Sequence, residues 1–383
     1  MGGRDAHGEG RHGEVHGTGD LLPARAAHAV QYSTSGAAGP PGRILAWRAG
    51  ALGDTVALFP ALAALRRRYP NAVLDAVGTP AYLDLARQAG LVDRVWDAGD
   101  PLFAGLFGGR EGGPRNGATP LGRWLRGVDL AVVWSGAAQA LADGLRAGGV
   151  ARVLTAAVLP PDPQPVSAYL LRCLAPLDVA DQTPLIMPRL EPTAEARTAT
   201  ESAWRAATGG DGAPVAMLHP GAGSLAKRWP LARFVELAGL LRSEGWRVAW
   251  TCGPADQGVE EGLRAAGQPE AAILVGWPLP QLCALLARSA AVVAADTGIG
   301  HLAAVLAVPT VALFGPTDER VWGPLGPRVR VVRAGQCARP AGLASGAACP
   351  IEPCCLRGIT AQRALREVLT LQAPPRGRRP GTR

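Results

Sequence analysis

The chain has 383 residues, a comfortable length for two domains, and 48% of them are hydrophobic, enough for ordinary buried cores. Its formal charge of +8 suits acidic partners such as phosphates and nucleotides, but aromatic residues make up only 5% and do not alternate with basic ones, which excludes a nucleic-acid platform. No apolar run reaches the roughly 18 residues that a membrane-spanning helix needs, and no basic-then-apolar leader opens the chain, so the expected location is the cytoplasm.

Residues 1–42 are rich in Gly, Ala, Ser, Pro and His without sustained periodicity and read as a disordered extension. Order is expected from "RILAWRAGALGDTVALFPALAALRRRYP" onward, as a short strand from Arg43 to Arg48, a glycine-rich turn, and a helix ending before Pro70. In that turn, Gly50 and Gly53 would let the backbone bend tightly and Asp54 stands where the helix begins. Asp54 is either a helix cap or, facing a cleft from a strand end, a general base. The spacing is G-x-x-G, so a dinucleotide fingerprint is not supported. Further strands are expected in "AVLDAVG", "VDRVWD" and "VDLAVVW", separated by helices or loops. The glycine-rich stretch between Pro101 and Pro120 is long for a connection and reads as an acceptor-side flap. Arg66, Arg67 and Arg68, at the end of the first helix, could touch an anionic membrane face, although such a run usually marks a solvated helix end.

A proline-punctuated region, residues 186–213, reads as a linker plus a helix between a first domain, residues 43–185, and a second, residues 214–355. Six strands are expected in the second half, in "PVAMLHP", "WRVAWTCG", "AAILVG", "AAVVAAD", "VPTVALFGP" and "RVRVVR". Two such halves imply an α/β protein of two doubly wound domains facing across a cleft, with ligands at the carboxyl ends of the strands. Two loops in the second half carry chemistry. "LHPGAGSLAKRWP" holds His219, Gly221, Gly223, Ser224 and Lys227; of 39 basic side chains, 38 are arginine, so the lone lysine three residues beyond a Gly/Ser turn points to a phosphate contact. "VVAADTGIGHLAA" sets Asp296, Thr297, Gly298 and His301 at the start of a helix, whose unpaired amides and positive dipole end suit an anion. Asp-Thr-Gly is also the aspartic-protease triplet, but protease chemistry needs a pair of carboxylates and this chain has one triplet in an α/β pattern. Four of the seven cysteines lie between Cys337 and Cys355 without the paired spacing of a zinc site, so no metal is expected.

Together "GALGDTVALFPAL", "HPGAGSLAKRWP" and "ADTGIGHLAAVLAVPTVALFGPTDERVWGPLG" resemble the heptosyltransferase family, glycosyltransferase family 9, over about residues 43–370. The resemblance implies a GT-B fold of two Rossmann-like domains, and a C-terminal helix, residues 356–373, that packs back on the first domain ahead of a disordered tail at 374–383. It implies inverting transfer of heptose from ADP-heptose to a saccharide or glycolipid such as lipopolysaccharide core, with no metal or other cofactor and with peripheral contact at the inner membrane leaflet. By position, Asp54 matches the family's base, Ser224 and Lys227 its donor-phosphate contacts, and Asp296, Thr297, Gly298 and His301 its nucleotide-sugar loop. Two rivals share the same cradle: a binding protein without chemistry, and a nucleotide-sugar epimerase or hydrolase.

Overall fold

The computed structural model describes residues 30–35, 39–107, 119–179, 185–254, 256, 258–335 and 355–372. The first domain carries six strands: β1 (Gln31–Thr34), β2 (Arg43–Trp47), β3 (Val73–Gly78), β4 (Arg94–Asp97), β5 (Leu130–Trp134) and β6 (Arg152–Ala156). They lie in the order β1-β6-β5-β2-β3-β4, and every pairing is parallel except that of β1 with β6. Its helices are α1 (Leu52–Arg68), α2 (Pro80–Gln88), α3 (Pro120–Leu125), α4 (Ala138–Ala147) and α5 (Val166–Arg172). Strands such as "LAVVW" are apolar throughout because helices cover both faces of a parallel sheet, leaving no polar side to alternate with.

The second domain repeats the plan. Its strands are β7 (Val215–His219), β8 (Arg247–Cys252), β9 (Ile273–Val275), β10 (Ala291–Ala295), β11 (Thr310–Phe314) and β12 (Val329–Arg333), all parallel, in the order β12-β11-β10-β7-β8-β9. The helices are α6 (Ala194–Thr208), α7 (Leu231–Ser243), α8 (Val259–Ala265), α9 (Leu279–Arg288), α10 (Gly298–Val305), α11 (Glu319–Trp322) and α12 (Ala361–Gln372). Helix α6 shows how local chemistry sets the bounds: the Thr193 side chain accepts from Ala196 N at its start, and Gly209 takes the left-handed conformation (φ 75°) that ends it.

In each sheet the chain steps outward through three strands and then returns to the other side of the first. The reversal falls between β2 and β5 in one sheet and between β7 and β10 in the other. A crevice opens at such a point, outside the carboxyl ends of the strands. The loops that follow β2, β7 and β10 are the three that carry Asp54, Lys227 and Asp296. One apolar core runs through both domains: Val56, Phe59 and Leu62 of α1 belong to the same cluster as Met217 of β7, Leu285 of α9 and Leu302 of α10.

Several expectations need correction. Residues 1–42 are not wholly without structure, because Gln31–Thr34 pairs antiparallel with β6; a four-residue polar strand has no hydrophobic rhythm to read, yet its backbone closes an otherwise open sheet edge. The last helix packs on the second domain, not on the first. Ala361, Ala364 and Val368 join the core that holds Trp229, Phe234 and Val332, the Trp229 indole donates to the Ile359 carbonyl at 2.9 Å, and the Arg363 guanidinium donates to the Arg333 carbonyl. An amphipathic pattern says which face is buried and leaves the partner open. Strand β6 and helix α4 went unforeseen. Of the stretch expected as a flap between Pro101 and Pro120, Pro101–Leu106 forms a short 3-10 helix; residues 108–118, the tails 1–29 and 373–383 and the cysteines at 337, 349 and 354 lie outside the described residues.

Candidate active site

Ala51 caps helix α1, and Asp54 is the third residue of its first turn. Asp54 Oδ2 reaches back to accept from the Ala51 backbone N–H at 3.0 Å, while Oδ1 lies 2.8 Å from Arg48 Nη2. The capping role and a role in the cleft are therefore compatible: one oxygen closes the helix, and the side chain stays 27% exposed. Gly50 makes room for this arrangement, since a Cβ there would sit 2.7 Å from the Asp54 Cβ. Neither Gly50 nor Gly53 has a positive φ, so they supply space rather than the tight turn expected of them.

Across the crevice, β7 leads into the loop with Ser224 and a single 3-10 turn, Leu225–Lys227. Lys227 Nζ lies 2.8 Å from Asp296 Oδ2 at the end of the neighbouring strand β10, so the one lysine bridges the two halves of the switch point. Lys227 is 32% exposed and Asp296 8%, which puts the ammonium on the solvent side of the pair. Thr297, not Asp296, is the cap residue of α10, and its hydroxyl makes no capping bond. Thr297 Oγ1 and Ser224 Oγ are both buried and without a hydrogen-bond partner. Buried hydroxyls are ordinarily satisfied, so two orphans on adjacent loops beside a helix N-terminus and a lysine leave donors and acceptors for a ligand with oxygen atoms to meet.

The two histidines among the described residues stand in different surroundings. His219 is buried, and its Nδ1 lies 3.0 Å from the Thr251 carbonyl, which can only accept; Nδ1 therefore carries the proton. Burial lowers its pKa, against the pull of Asp256. Its Nε2 lies 3.9 Å from the Asp256 carboxylate, which a Cβ on Gly221 would overlap and which itself accepts from Gly253 N at 2.7 Å. Gly223 faces open space, and nothing in the structure explains a glycine there. His301 is buried where the domains meet. Burial lowers its pKa while the nearby Asp296 and Asp54 carboxylates and a hydrogen bond to the Trp322 backbone oppose the shift.

The domains touch through glycines. A Cβ on Gly298 would stand 2.6 Å from Leu52 Cβ and 3.0 Å from Gly53 N, and one on Gly53 would stand 3.3 Å from the His301 ring. The N-termini of α1 and α10 thus abut, bringing Asp54 and the Lys227–Asp296 pair to one crevice. Gly298→Val is expected to push the domains apart, lowering stability by about 1–3 kcal/mol as overpacked sites do. Urea unfolding together with the radius of gyration from X-ray scattering measures both effects; an unchanged midpoint and radius would refute the tight seam.

Arg48 and Asp256 are the residues that sequence reasoning missed. Arg66 is paired with Asp93 and donates to the Ala72 carbonyl, at the end of α1 remote from the crevice.

Residues 168–343 match the model of glycosyltransferase family 9 (heptosyltransferase), a span that includes Ser224, Lys227 and Asp296–His301 and leaves out Asp54. Over 115 residues the chain is 42% identical to lipopolysaccharide heptosyltransferase 1 of Pseudomonas aeruginosa; the matched stretch is 30% of this chain and 32% of that relative, so about a third of the relative's length is spanned. Among solved structures, the E. coli ADP-heptose lipopolysaccharide heptosyltransferase II superposes with a TM-score of 0.65 at 23% identity, covering 86% of this chain and 98% of that one. The E. coli heptosyltransferase WaaC, solved with ADP, superposes with a TM-score of 0.58 at 18% identity, covering 86% and 99%. Two six-stranded doubly wound sheets with switch points facing one crevice are the GT-B fold. Over its described length the chain thus has the GT-B fold, and over residues 168–343 it is similar to glycosyltransferase family 9 (heptosyltransferase).

Proposed function

We propose that the protein is an inverting glycosyltransferase that moves heptose from ADP-heptose to a hydroxyl of a saccharide or glycolipid acceptor such as lipopolysaccharide core. The observation that carries this reading is the joining of two unlike half-sites: a partly exposed carboxylate, Asp54, on one domain, and an anion cradle on the other, made of Lys227, the N-terminus of α10 and the unpartnered hydroxyls of Ser224 and Thr297. Asp54 takes the proton of the acceptor hydroxyl as its oxygen bonds to the anomeric carbon, and the bond from that carbon to the diphosphate breaks on the opposite face. The electron pair leaves on the nucleoside diphosphate, where Lys227 and the amides at the start of α10 meet the charge that develops. Asp296, itself an anion, holds Lys227 in place and faces sugar hydroxyls rather than phosphate oxygens. The donor is the sole cosubstrate in this scheme, and the acceptor brings the enzyme to the inner leaflet. Among the described residues no helix is long and apolar enough to cross a membrane.

A thermal-shift panel of ADP, GDP, UDP and dTDP tests the donor. ADP alone is expected to raise the melting temperature, with about 2.7 kcal/mol of added stability at a concentration one hundred times Kd. Equal stabilisation by all four would remove the ADP assignment. Sugar released or epimerised from ADP-heptose without acceptor would favour a hydrolase or epimerase instead.

A further inference from the structure

Arg48 is one of 38 arginines, yet its side chain is only 2% exposed. It stands directly after β2, its own N–H donates to the Val77 carbonyl of the adjacent strand β3, and its guanidinium spends its donors in three directions. Nη2 meets Asp54 Oδ1 at 2.8 Å, Nε points to the Asp54 backbone oxygen at 3.3 Å, and Nη1 to the Val158 carbonyl at 3.3 Å. Both the carboxylate and the backbone of one residue are thus held by a single planar group, which is itself tethered to the loop after β6. Burial lowers the Arg48 pKa and the Asp54 carboxylate opposes that shift; the group stays charged, as arginine does. A buried cation is expensive to keep unless it is paired, and among the described residues its ion-pair partner is Asp54.

We infer that Arg48 is a positioning residue for Asp54. The inference rests on the reading of Asp54 as the base. With Oδ1 on Arg48 and Oδ2 on the Ala51 N–H, both carboxylate oxygens are pinned, and the remaining lone pairs have one fixed direction from which to meet an acceptor hydroxyl. Arg48 works through Asp54 and touches no substrate. A residue that merely filled the core would not need to bind both ends of Asp54, nor to bring its charge out of water to do so.

The experiment compares wild type with Arg48→Gln and Arg48→Lys in two ways. The first is steady-state release of ADP from ADP-heptose with a heptose-free lipopolysaccharide core glycolipid as acceptor, alongside ADP affinity by calorimetry. Arg48→Gln is expected to lose on the order of 10- to 100-fold in kcat, the effect of a reacting group misplaced by about an ångström. KM for ADP-heptose and ADP affinity should stay within about threefold, and Arg48→Lys, which keeps the charge but not the fork, should recover part of the loss. The second readout needs no turnover: crystal structures of Arg48→Gln and wild type, in which the Asp54 carboxylate of the variant should leave Ala51 N. A variant with wild-type kcat, or with Asp54 unmoved, overturns the inference, as does a kcat loss matched by an equal loss of ADP affinity. A wild type that releases no ADP from ADP-heptose sinks the transferase reading, while the Asp54 orientation still decides the role of Arg48.

Discussion

Asp54→Asn should lower kcat by about 10²- to 10⁴-fold, the range that a positioned general base contributes, while leaving ADP affinity within about twofold. The amide keeps the shape of the carboxylate and an oxygen for the Ala51 N–H, so α1 should still begin where it does. What disappears is the basic atom facing the crevice, together with the negative charge that pairs with buried Arg48, so urea unfolding of the variant is read alongside its kinetics. The separation of the two domains makes the outcome diagnostic, because the proposed nucleotide cradle is built at the ends of β7 and β10 and at α10 and, among the described residues, shares no hydrogen bond with Asp54. Transfer kinetics with ADP-heptose, read beside ADP calorimetry on the same preparation, supply the test. A variant retaining more than about a tenth of wild-type kcat would mean that Asp54 is not the base.

Lys227→Ala should fall in kcat/KM by about 10²- to 10³-fold, the loss seen when one preorganised group is removed from a site of developing negative charge. ADP should also lose most of its stabilising effect on melting. Two consequences combine here: the point charge for the diphosphate is gone, and Asp296, 8% exposed, loses its ion-pair partner beside the incoming anion. Adding Asp296→Asn to Lys227→Ala separates them. If repulsion from the bare carboxylate contributes, the double variant should bind ADP more tightly than the single one; if it binds no better, the lysine's own contact with the diphosphate accounts for the loss. Lys227→Ala within threefold of wild type in both measurements would remove Lys227 from the donor site.

The parts of this molecule that could be read from its sequence are those where one physical constraint acts alone. The inner strands of the second sheet stood out because burial on both faces makes β7, β10 and β11 short apolar runs ended by glycine, proline or an acid, whereas the edge strand β12 showed instead the alternation of valine and arginine that a half-exposed strand carries. The three loops were legible for the same reason: Asp54, Lys227 and His301 interrupt apolar stretches at strand ends. Where two constraints compete, or where the partner is distant, the signal fades. Strand β1 earns its place through backbone bonds to β6 that no side-chain rhythm announces. Arg48 lay in a quoted motif, but in a chain with 38 arginines its identity carries no weight until its burial is seen. Asp256 sits in a polar turn after β8, and its relation to Gly221 and His219 exists only in space. Gly53 reads from the sequence as a turn residue and Gly298 as part of a helix start, whereas the structure uses both as clearance between two helices.

The apolar core that passes from α1 through α10 and α9 without a break at the domain boundary bears on how such proteins can be recombined. A donor half cut from one relative and joined to the acceptor half of another would carry a raw hydrophobic face unless Leu52, Gly53, Gly298 and Leu302 travelled as a matched set. Chimeras designed to exchange sugar or acceptor preference should therefore place their crossover within exposed loops on either side of this seam, and treat the seam as inherited from a single parent.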